Sequence, residues 1–444
     1  MATFLVDNPS PPTHVLMIAY IYPPNRIVTG SRRIIKFAKY LPHFGYRPVV
    51  LTTRAHGTLP DDTGSSIFRA DDPVRLLKHL YQLVKRANQS PTQPVAVSST
   101  APGPESRIQQ WRAKYSIPDQ QIIWYPWAVW TARSLLRSLP IRLLYSTSTP
   151  ETDHLVGLTL KRLTGLPWVV DFRDGWMFET IPFRHTSPLR HAIESRLERA
   201  VVTNADHIIT ASQVLANDFR QRYPRIAPRI SVITNGYDPD DFAPIQREKQ
   251  KTPTFRVVHT GTFSLGRWNT SLDGLLEALR SMQADQLPLM EDLEIVLVGD
   301  LTATEWRTIE QSGVQEHFSM RGRVPYHEAL EYQVQADILL LIVTAQVTSH
   351  SANKFFEYLA TGRPILALAS QSSIVGVVSH LGAGLVVDPD DPVGIRRALQ
   401  TFHAQWKAGL LPTRVREQVR QFDRRELTRN LAAIFDRLLE PGGS

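Results

Sequence analysis

Lys354 and Glu357 stand three residues apart in "NKFFEYLATGRPIL" (Asn353 to Leu366), just ahead of a glycine, a proline and an apolar run. The spacing predicts a helix that begins near Ser351 or Asn353, capped by those side chains, and ends at Gly362. On it Lys354 and Glu357 share one face. Such a pair can be an ordinary surface ion pair contributing roughly 0.2–0.5 kcal/mol. It can also be chemistry. Free N–H groups and the positive dipole end of a helix attract an anion, Lys354 adds a full charge, and Glu357 one turn later can accept two ribose hydroxyls. That combination suits a nucleoside diphosphate.

Four further stretches carry reactive residue types. In "HTGTFSLGR" (His259 to Arg267) a strand runs into a glycine-bearing turn. Gly261 lets the backbone approach a ligand and Arg267 can clamp a phosphate bidentately, although a strand-ending glycine can simply make a turn. In "VVDFRDGW" (Val169 to Trp176) Asp171, Arg173 and Asp174 follow a buried strand, where parallel sheets bind ligands; the alternative is a local ion network. His154, entering a helix in "STPETDHLVG", fits either a site or a satisfied structural position. Gly30 and Arg33 fall in the loop and helix start after the first strand. There is no full G-x-G-x-x-G there, and no G-x-x-x-x-G-K-[ST] anywhere, which argues against hydride transfer and P-loop chemistry. "HEALE" lacks the second histidine of a zinc motif, and the D-x-D pieces at Asp238/Asp240 and Asp388/Asp390 sit in turns. No metal site is expected.

These residues need parallel sheets to position them. "HVLMIAY", "RPVVLTT", "IRLLYS", "LPWVVDF" and "DHIITAS" alternate with helical stretches in the first half, and "FRVVHTGT", "LEIVLVGD", "DILLLIV" and "RPILALA" do so in the second. The expected class is α/β, with two doubly wound, Rossmann-like domains. The turn-rich, charged segment Ile233 to Thr254 reads as the linker, giving domains at 1–240 and 241–420 and a terminal helical segment at 421–444. Ala87 to Glu105 is Ser/Pro/Gln-rich and reads as a surface loop.

Composition narrows the classes. At 444 residues, with 42% hydrophobic and 21% charged residues, the chain fits a soluble enzyme of more than one domain. Without cysteine, disulfides, thiolate metal sites and cysteine nucleophiles are excluded. No apolar run approaches the ~18 residues of a membrane span, and "MATFLVDNPSPPTH" does not read as a secretory signal, so cytoplasmic residence is the expectation. Residues 1–240 hold 29 Lys and Arg against 18 Asp and Glu, whereas 241–444 hold 21 against 24. A basic first half suits an anionic partner. Pro73 to Arg86 can form an amphipathic basic helix, and "WYPWAVW" (Trp124 to Trp130) adds aromatics, so peripheral contact with an anionic membrane at its inner face competes with a reading in which the aromatics are core. The basic excess is spread over a domain, so nucleic acid is not an expected partner.

In their order, "YIYPPNRIVTGSRRIIKFAKYLPHFGYRPVVLTT", "LPWVVDFRDGW", "ITNGYDPDDF", "HTGTFSLGR", "LEIVLVGD", "RGRVPYHEALEYQVQADILLLIV" and "NKFFEYLATGRPIL" resemble the family 4 glycosyltransferases, retaining enzymes of the GT-B fold. The resemblance implies two Rossmann-like domains facing a cleft, and a carboxyl-terminal helix that crosses back to the first. It implies a nucleoside-diphosphate sugar donor, held mainly by the second domain, and a saccharide, lipid-linked or small-molecule hydroxyl acceptor held by the first, with no other cofactor and no metal. Carried over by motif, Glu357 would hold the ribose and Arg323 and Val324 would lie near the base. Arg267, Lys354 and the amides of Ser351, Ala352 and Asn353 would hold the diphosphate with Gly261, and Gly30 would let the first domain approach it. Asp171, Arg173 and Asp174, with His154, would orient acceptor and sugar. Two departures stand out: Ser349 occupies a position where many members have a sugar-contacting glutamate, and "RWNTSLDG" lacks the lysine that often follows the arginine. A sugar-nucleotide epimerase, or a binding protein that kept the fold, are the rival readings.

Overall fold

The structure is a computed structural model that describes residues 11–24, 28–57, 66–73, 116–178, 187–245, 253–261, 272–343, 353–370, 373–413 and 416–440. The chain divides into two compact units, Met1–Ile233 with Thr428–Ser444, and Thr234–Leu427. The boundaries anticipated at 240 and 420 thus fall at 233 and 427.

The first unit is built on a seven-stranded sheet in the order β3-β2-β1-β4-β5-β6-β7, in which every pairing is parallel. Its strands are β1 (Thr13–Ile18), β2 (Tyr46–Thr53), β3 (Ser66–Ala70), β4 (Ile141–Ser148), β5 (Trp168–Phe172), β6 (His207–Thr210) and β7 (Ile230–Val232). Parallel strands need crossovers, and the helices α1 (Val28–Tyr40), α2 (Tyr125–Ser138), α3 (Thr152–Thr164) and α4 (Pro188–Asn204) help to supply them. The interior strand β5 is buried throughout, as a strand covered on both faces must be.

In the second unit six strands run β10-β9-β8-β11-β12-β13, again all parallel. They are β8 (Phe255–Thr260), β9 (Leu293–Val298), β10 (Phe318–Gly322), β11 (Ile338–Ile342), β12 (Ile365–Leu368) and β13 (Gly384–Val387). Alternation along β11 divides the core: Leu339 and Leu341 join one apolar cluster, Ile338 and Leu340 the other. The sheet is therefore covered on both faces, with α5 (Asp273–Ala284) packed on one side and α6 (Tyr326–Gln335) and α7 (Asn353–Thr361) contributing to the other.

Both sheets reverse strand order once, between β1 and β4 and between β8 and β11. Connections leave such a point in opposite directions and open a crevice at the carboxyl ends of the strands, where α/β folds place ligands. The terminal helix α8 (Arg424–Leu439) buries Leu427, Leu431, Ile434 and Phe435. Within the first unit, Phe435 packs edge-on against Tyr46 and Tyr145, and the Tyr46 hydroxyl donates to Asp436.

Candidate active site

In the second unit Gly261, Lys354 and Glu357 gather at the switch point. Gly261 follows β8 directly, with a left-handed φ of 100°, and its N–H donates to Val298 O at 2.7 Å. Its lack of a side chain makes room for the lysine: a Cβ there would lie 3.2 Å from Lys354 Nζ. Gly299, φ 142°, packs backbone to backbone on it, and a Cβ would come within 2.4 Å of Gly261 O. Two glycines thus close the floor beneath Lys354.

Lys354 and Glu357 both lie on the first turns of α7, which ends at Gly362 in the left-handed conformation anticipated for its C-cap. The helix is pinned to β8 by Tyr358, whose hydroxyl accepts the Thr260 N–H at 2.8 Å. Arg424 donates to Asn353 Oδ1 at 3.3 Å. Glu357 is buried, not a surface partner, and accepts from Tyr326 Oη at 3.1 Å and Gln333 Nε2 at 3.3 Å. Gln333 also donates to Thr260 Oγ1 at 3.0 Å, which ties α6, α7 and β8 together.

Burial lowers the Lys354 pKa to about 8 even though Glu357 opposes the shift. Beneath it His259 donates from Nδ1 to Leu340 O at 2.9 Å. Its Nε2 then carries the lone pair and faces Lys354 Nζ at 3.5 Å. Burial, followed by the lysine charge, holds His259 well below the usual histidine range, so the ring is neutral. A neutral acceptor holds the ammonium in place without cancelling its charge.

Arg323 forms an exposed ion pair with Asp300 at 2.9 Å, and Val324 is partly buried against the core. Beside them a pocket of about 510 Å³ opens at the carboxyl ends of β9 and β10, lined by Gly299, Asp300, Thr302, Trp306, Met320 and Gly322. The sequence reading passed over Trp306. Its signal was the capping box Thr302/Glu305 directly after a strand, which starts the helix that carries it. Arg267, Ser351, Ala352 and Ser349 lie outside the described residues, as do residues 74–86 of the amphipathic stretch and the Ala87 to Glu105 segment.

In the first unit Asp171, the next-to-last residue of β5, is fully buried. Arg33, itself buried on α1, binds it bidentately at 2.7 and 2.8 Å, while Tyr145 and Thr147 also donate to it. Arg33 sits one turn after Gly30 on α1, so the pair ties the early turns of that helix to β5. Arg173 and Asp174 are more open: Arg173 donates to Asp174 at 3.0 Å, and Thr149 donates to the same carboxylate oxygen at 3.0 Å. These three lie at the carboxyl edge of β4 and β5.

His154 is wholly buried, its Nδ1 2.9 Å from Ser146 Oγ, and its ring lies against Phe172. Burial lowers its pKa to about 3, so it is neutral and enclosed. Sequence reasoning also passed over Tyr20, whose hydroxyl donates to Asp72 at 2.8 Å and whose N–H donates to Asp153 at 2.9 Å, linking the β1 loop to α3. Among the described residues no cluster of three or more His, Asp or Glu could hold a metal ion. None of their helices is long and apolar enough to cross a membrane.

Two parallel sheets, each with a switch point, are the architecture of the GT-B fold, and comparison with known proteins agrees. Residues 78–241 match the description "Glycosyltransferase Family 4" and residues 254–405 match "Glycosyl transferases group 1". The chain belongs to the family 4 type of GT-B glycosyltransferases. No curated protein matches it by sequence. Among solved structures it is similar to sucrose-phosphate synthase from Thermosynechococcus elongatus, with 15% identity, 96% of this chain and 99% of that one covered, and a TM-score of 0.61. It is also similar to Anabaena HepE in complex with UDP-glucose (16%, 95% and 99%, 0.60). A third is WaaG, a glycosyltransferase involved in lipopolysaccharide biosynthesis (15%, 95% and 99%, 0.57).

Proposed function

We propose that this glycosyltransferase is a metal-independent retaining enzyme. It would move a sugar from a nucleoside-diphosphate sugar to a hydroxyl of a saccharide, lipid-linked or small-molecule acceptor, in the making of a cell-surface polysaccharide or glycoconjugate. The observation that carries the reading is the half-buried Lys354 beside the buried Glu357 at the start of α7, set over the glycine floor at the end of β8. Glu357 holds the ribose, its carboxylate fixed by Tyr326 and Gln333. The diphosphate rests on Lys354, the Gly261 turn and the start of α7, with Arg267, Ser351, Ala352 and Asn353 as further contacts. The base takes the pocket beside Trp306, with Arg323 and Val324 at its border. That HepE was solved with UDP-glucose supports a sugar-nucleotide donor, and WaaG's role in lipopolysaccharide supports a glycoconjugate product.

In the reaction the bond from the anomeric carbon to the diphosphate oxygen breaks, and the electron pair leaves with the diphosphate. Lys354 stabilises that charge in a low-dielectric site, where a fixed cation acts strongly. The acceptor oxygen bonds to the oxocarbenium-like carbon on the face the diphosphate leaves, and its proton passes to a departing phosphate oxygen. Arg173 and Asp174 orient the acceptor. Asp171 acts through Arg33 by tying the early turns of α1, and with them Gly30, to β5. The enzyme works in the cytoplasm, at the inner face of a membrane.

A thermal-shift panel of nucleoside diphosphates and their sugars tests the donor site. A ligand at about 100 times its Kd adds about 2.7 kcal/mol of stability. One nucleotide series should shift the wild type and fail to shift Glu357→Gln. No shift across purine and pyrimidine diphosphates, or an equal shift in the variant, overturns the assignment.

A further inference from the structure

The aromatic run "WYPWAVW" divides in the structure. Trp124 is core, with its ring 5.3 Å from that of Tyr20, whereas Trp127 is 41% and Trp130 74% exposed on α2. The buried stripe of α2 is Ala128, Ala132 and Leu135. At 3.6 residues per turn Trp130 lies nearly opposite that stripe, and Trp127, Trp130, Ser134 and Arg137 follow the i, i+3, i+4 rule of a single helix face, with Arg133 beside them.

We propose that this outward face of α2, carrying Trp127, Trp130, Arg133 and Arg137, docks on an anionic lipid bilayer. Two exposed indoles on one helix are an apolar surface that water disfavours, and the interfacial zone of a bilayer accepts their flat, amphipathic rings. The charge on the face is complementary to that occupant. Both arginines are exposed, neither has a carboxylate partner among the described residues, and α2 contains no acidic residue at all. Arginine stems can lie along the apolar layer while their guanidinium groups reach lipid phosphates. An acidic protein surface would satisfy the arginines but would leave both indoles without a matching apolar layer.

The location adds a functional reason. Helix α2 ends two residues before β4 begins, so it runs antiparallel to the strands and places its tryptophan-bearing start toward their carboxyl edge. That is the edge carrying Thr149, Arg173 and Asp174. A bilayer held there would present a lipid-linked acceptor to the side of the sheet that the proposed function gives to acceptor binding. The inference rests on that reading for its purpose alone, since docking is measurable without turnover.

The experiment is vesicle flotation of the full chain with phosphatidylglycerol/phosphatidylcholine vesicles and with pure phosphatidylcholine vesicles, at low and at 0.5 M salt. Wild type should float with the anionic vesicles and be released by salt. Trp127→Ala/Trp130→Ala and Arg133→Gln/Arg137→Gln should each bind them at least tenfold more weakly. The arginine pair alone is expected to lose about 25-fold, at roughly fivefold per charge. Both pairs are at the surface, so unchanged circular dichroism and melting will show that folding is intact. The inference is overturned if wild type ignores anionic vesicles, or if both double variants float like wild type. It is equally overturned if the tryptophans prove to support self-association by sedimentation without vesicle binding. The nucleoside-diphosphate shift, read on the same samples, reports the donor site separately, so loss of one conclusion leaves the other standing.

Discussion

Lys354 Nζ stands 3.5 Å from the Nε2 of His259, a histidine kept neutral by burial and by the lysine itself. The ammonium is thus held by an acceptor that cannot compete with a phosphate for its charge. Because its pKa is only about 8, a nucleoside diphosphate binds fully to the protonated form at pH 7, and affinity should fall as pH rises through 8. Calorimetric Kd values should weaken toward tenfold per unit above about pH 9. In Lys354→Met binding should be weak and nearly flat with pH. A wild-type Kd that does not change up to pH 10 would remove Lys354 from the diphosphate.

The same burial predicts a gain in stability when the charge is removed. The unfolded lysine titrates near 10.5, so between about pH 8 and 10.5 the unfolded state binds more protons and wild-type stability rises with pH. Below 8 the half-buried charge costs the fold on the order of 1–3 kcal/mol. Lys354→Met should therefore melt higher than wild type at pH 7 while losing nucleotide. A residue kept for structure would show the opposite.

Much of this architecture was readable from sequence, and the omissions have one physical cause. Each strand of the two sheet interiors announces itself as an apolar run: β1, β2, β4, β5 and β6 in the first unit, β8, β9, β11 and β12 in the second. The four strands passed over, β3, β7, β10 and β13, are the two edges of each sheet. An edge strand is covered less completely, so its sequence has less reason to be apolar; "SIFRA" and "FSMRG" are mostly half-exposed. The site follows the same logic. Lys354, Glu357 and Gly261 were legible because their local context, a helix start or a strand end, already states what they can do. His259, Tyr326 and Gln333 act only through tertiary proximity: Gln333 reaches Glu357 across 24 residues. Nor could spacing reveal that Asp171 faces inward while Asp174, three residues on, faces the edge.

Gln333 should behave as a positioning residue for Glu357. Gln333→Leu removes one donor to a buried carboxylate, a loss of about 1–3 kcal/mol to stability. If Gln333 also aims Glu357 at a ribose, nucleotide affinity should fall several-fold more than affinity for inorganic pyrophosphate, which has no ribose. Gln333→Asn should not rescue, because its shorter amide cannot span the same distance. Equal losses for both ligands would reduce Gln333 to a structural role.

The Arg33/Asp171 pair should cost far more to break than to replace. Asp171→Asn leaves a buried guanidinium without its counter-charge, and such changes destabilise by about 3–5 kcal/mol. The double variant Arg33→Met/Asp171→Leu removes both charges and should lose less than the sum of the two single changes, as measured by urea unfolding. A strictly additive cycle would show that the two side chains do not depend on one another.

His154 offers the clearest acid response. Its folded pKa of about 3 lies far below the unfolded value near 6.5, so below pH 6.5 the unfolded state takes up a proton that the folded state refuses. Stability contributed by the neutral ring is therefore full above 6.5 and falls by about 1.4 kcal/mol per pH unit on the way down to 3. The unfolding free energies from urea titrations at pH 7 and pH 5 should differ in the wild type by the sum over the depressed histidines His154, His207 and His259, and by about 2 kcal/mol less in His154→Phe. The same pKa predicts that rate profiles between pH 5 and 8 contain no limb belonging to His154, since its protonation lies below that window. A limb near pH 6 that disappears in His154→Phe would place the ring in contact with the reaction instead.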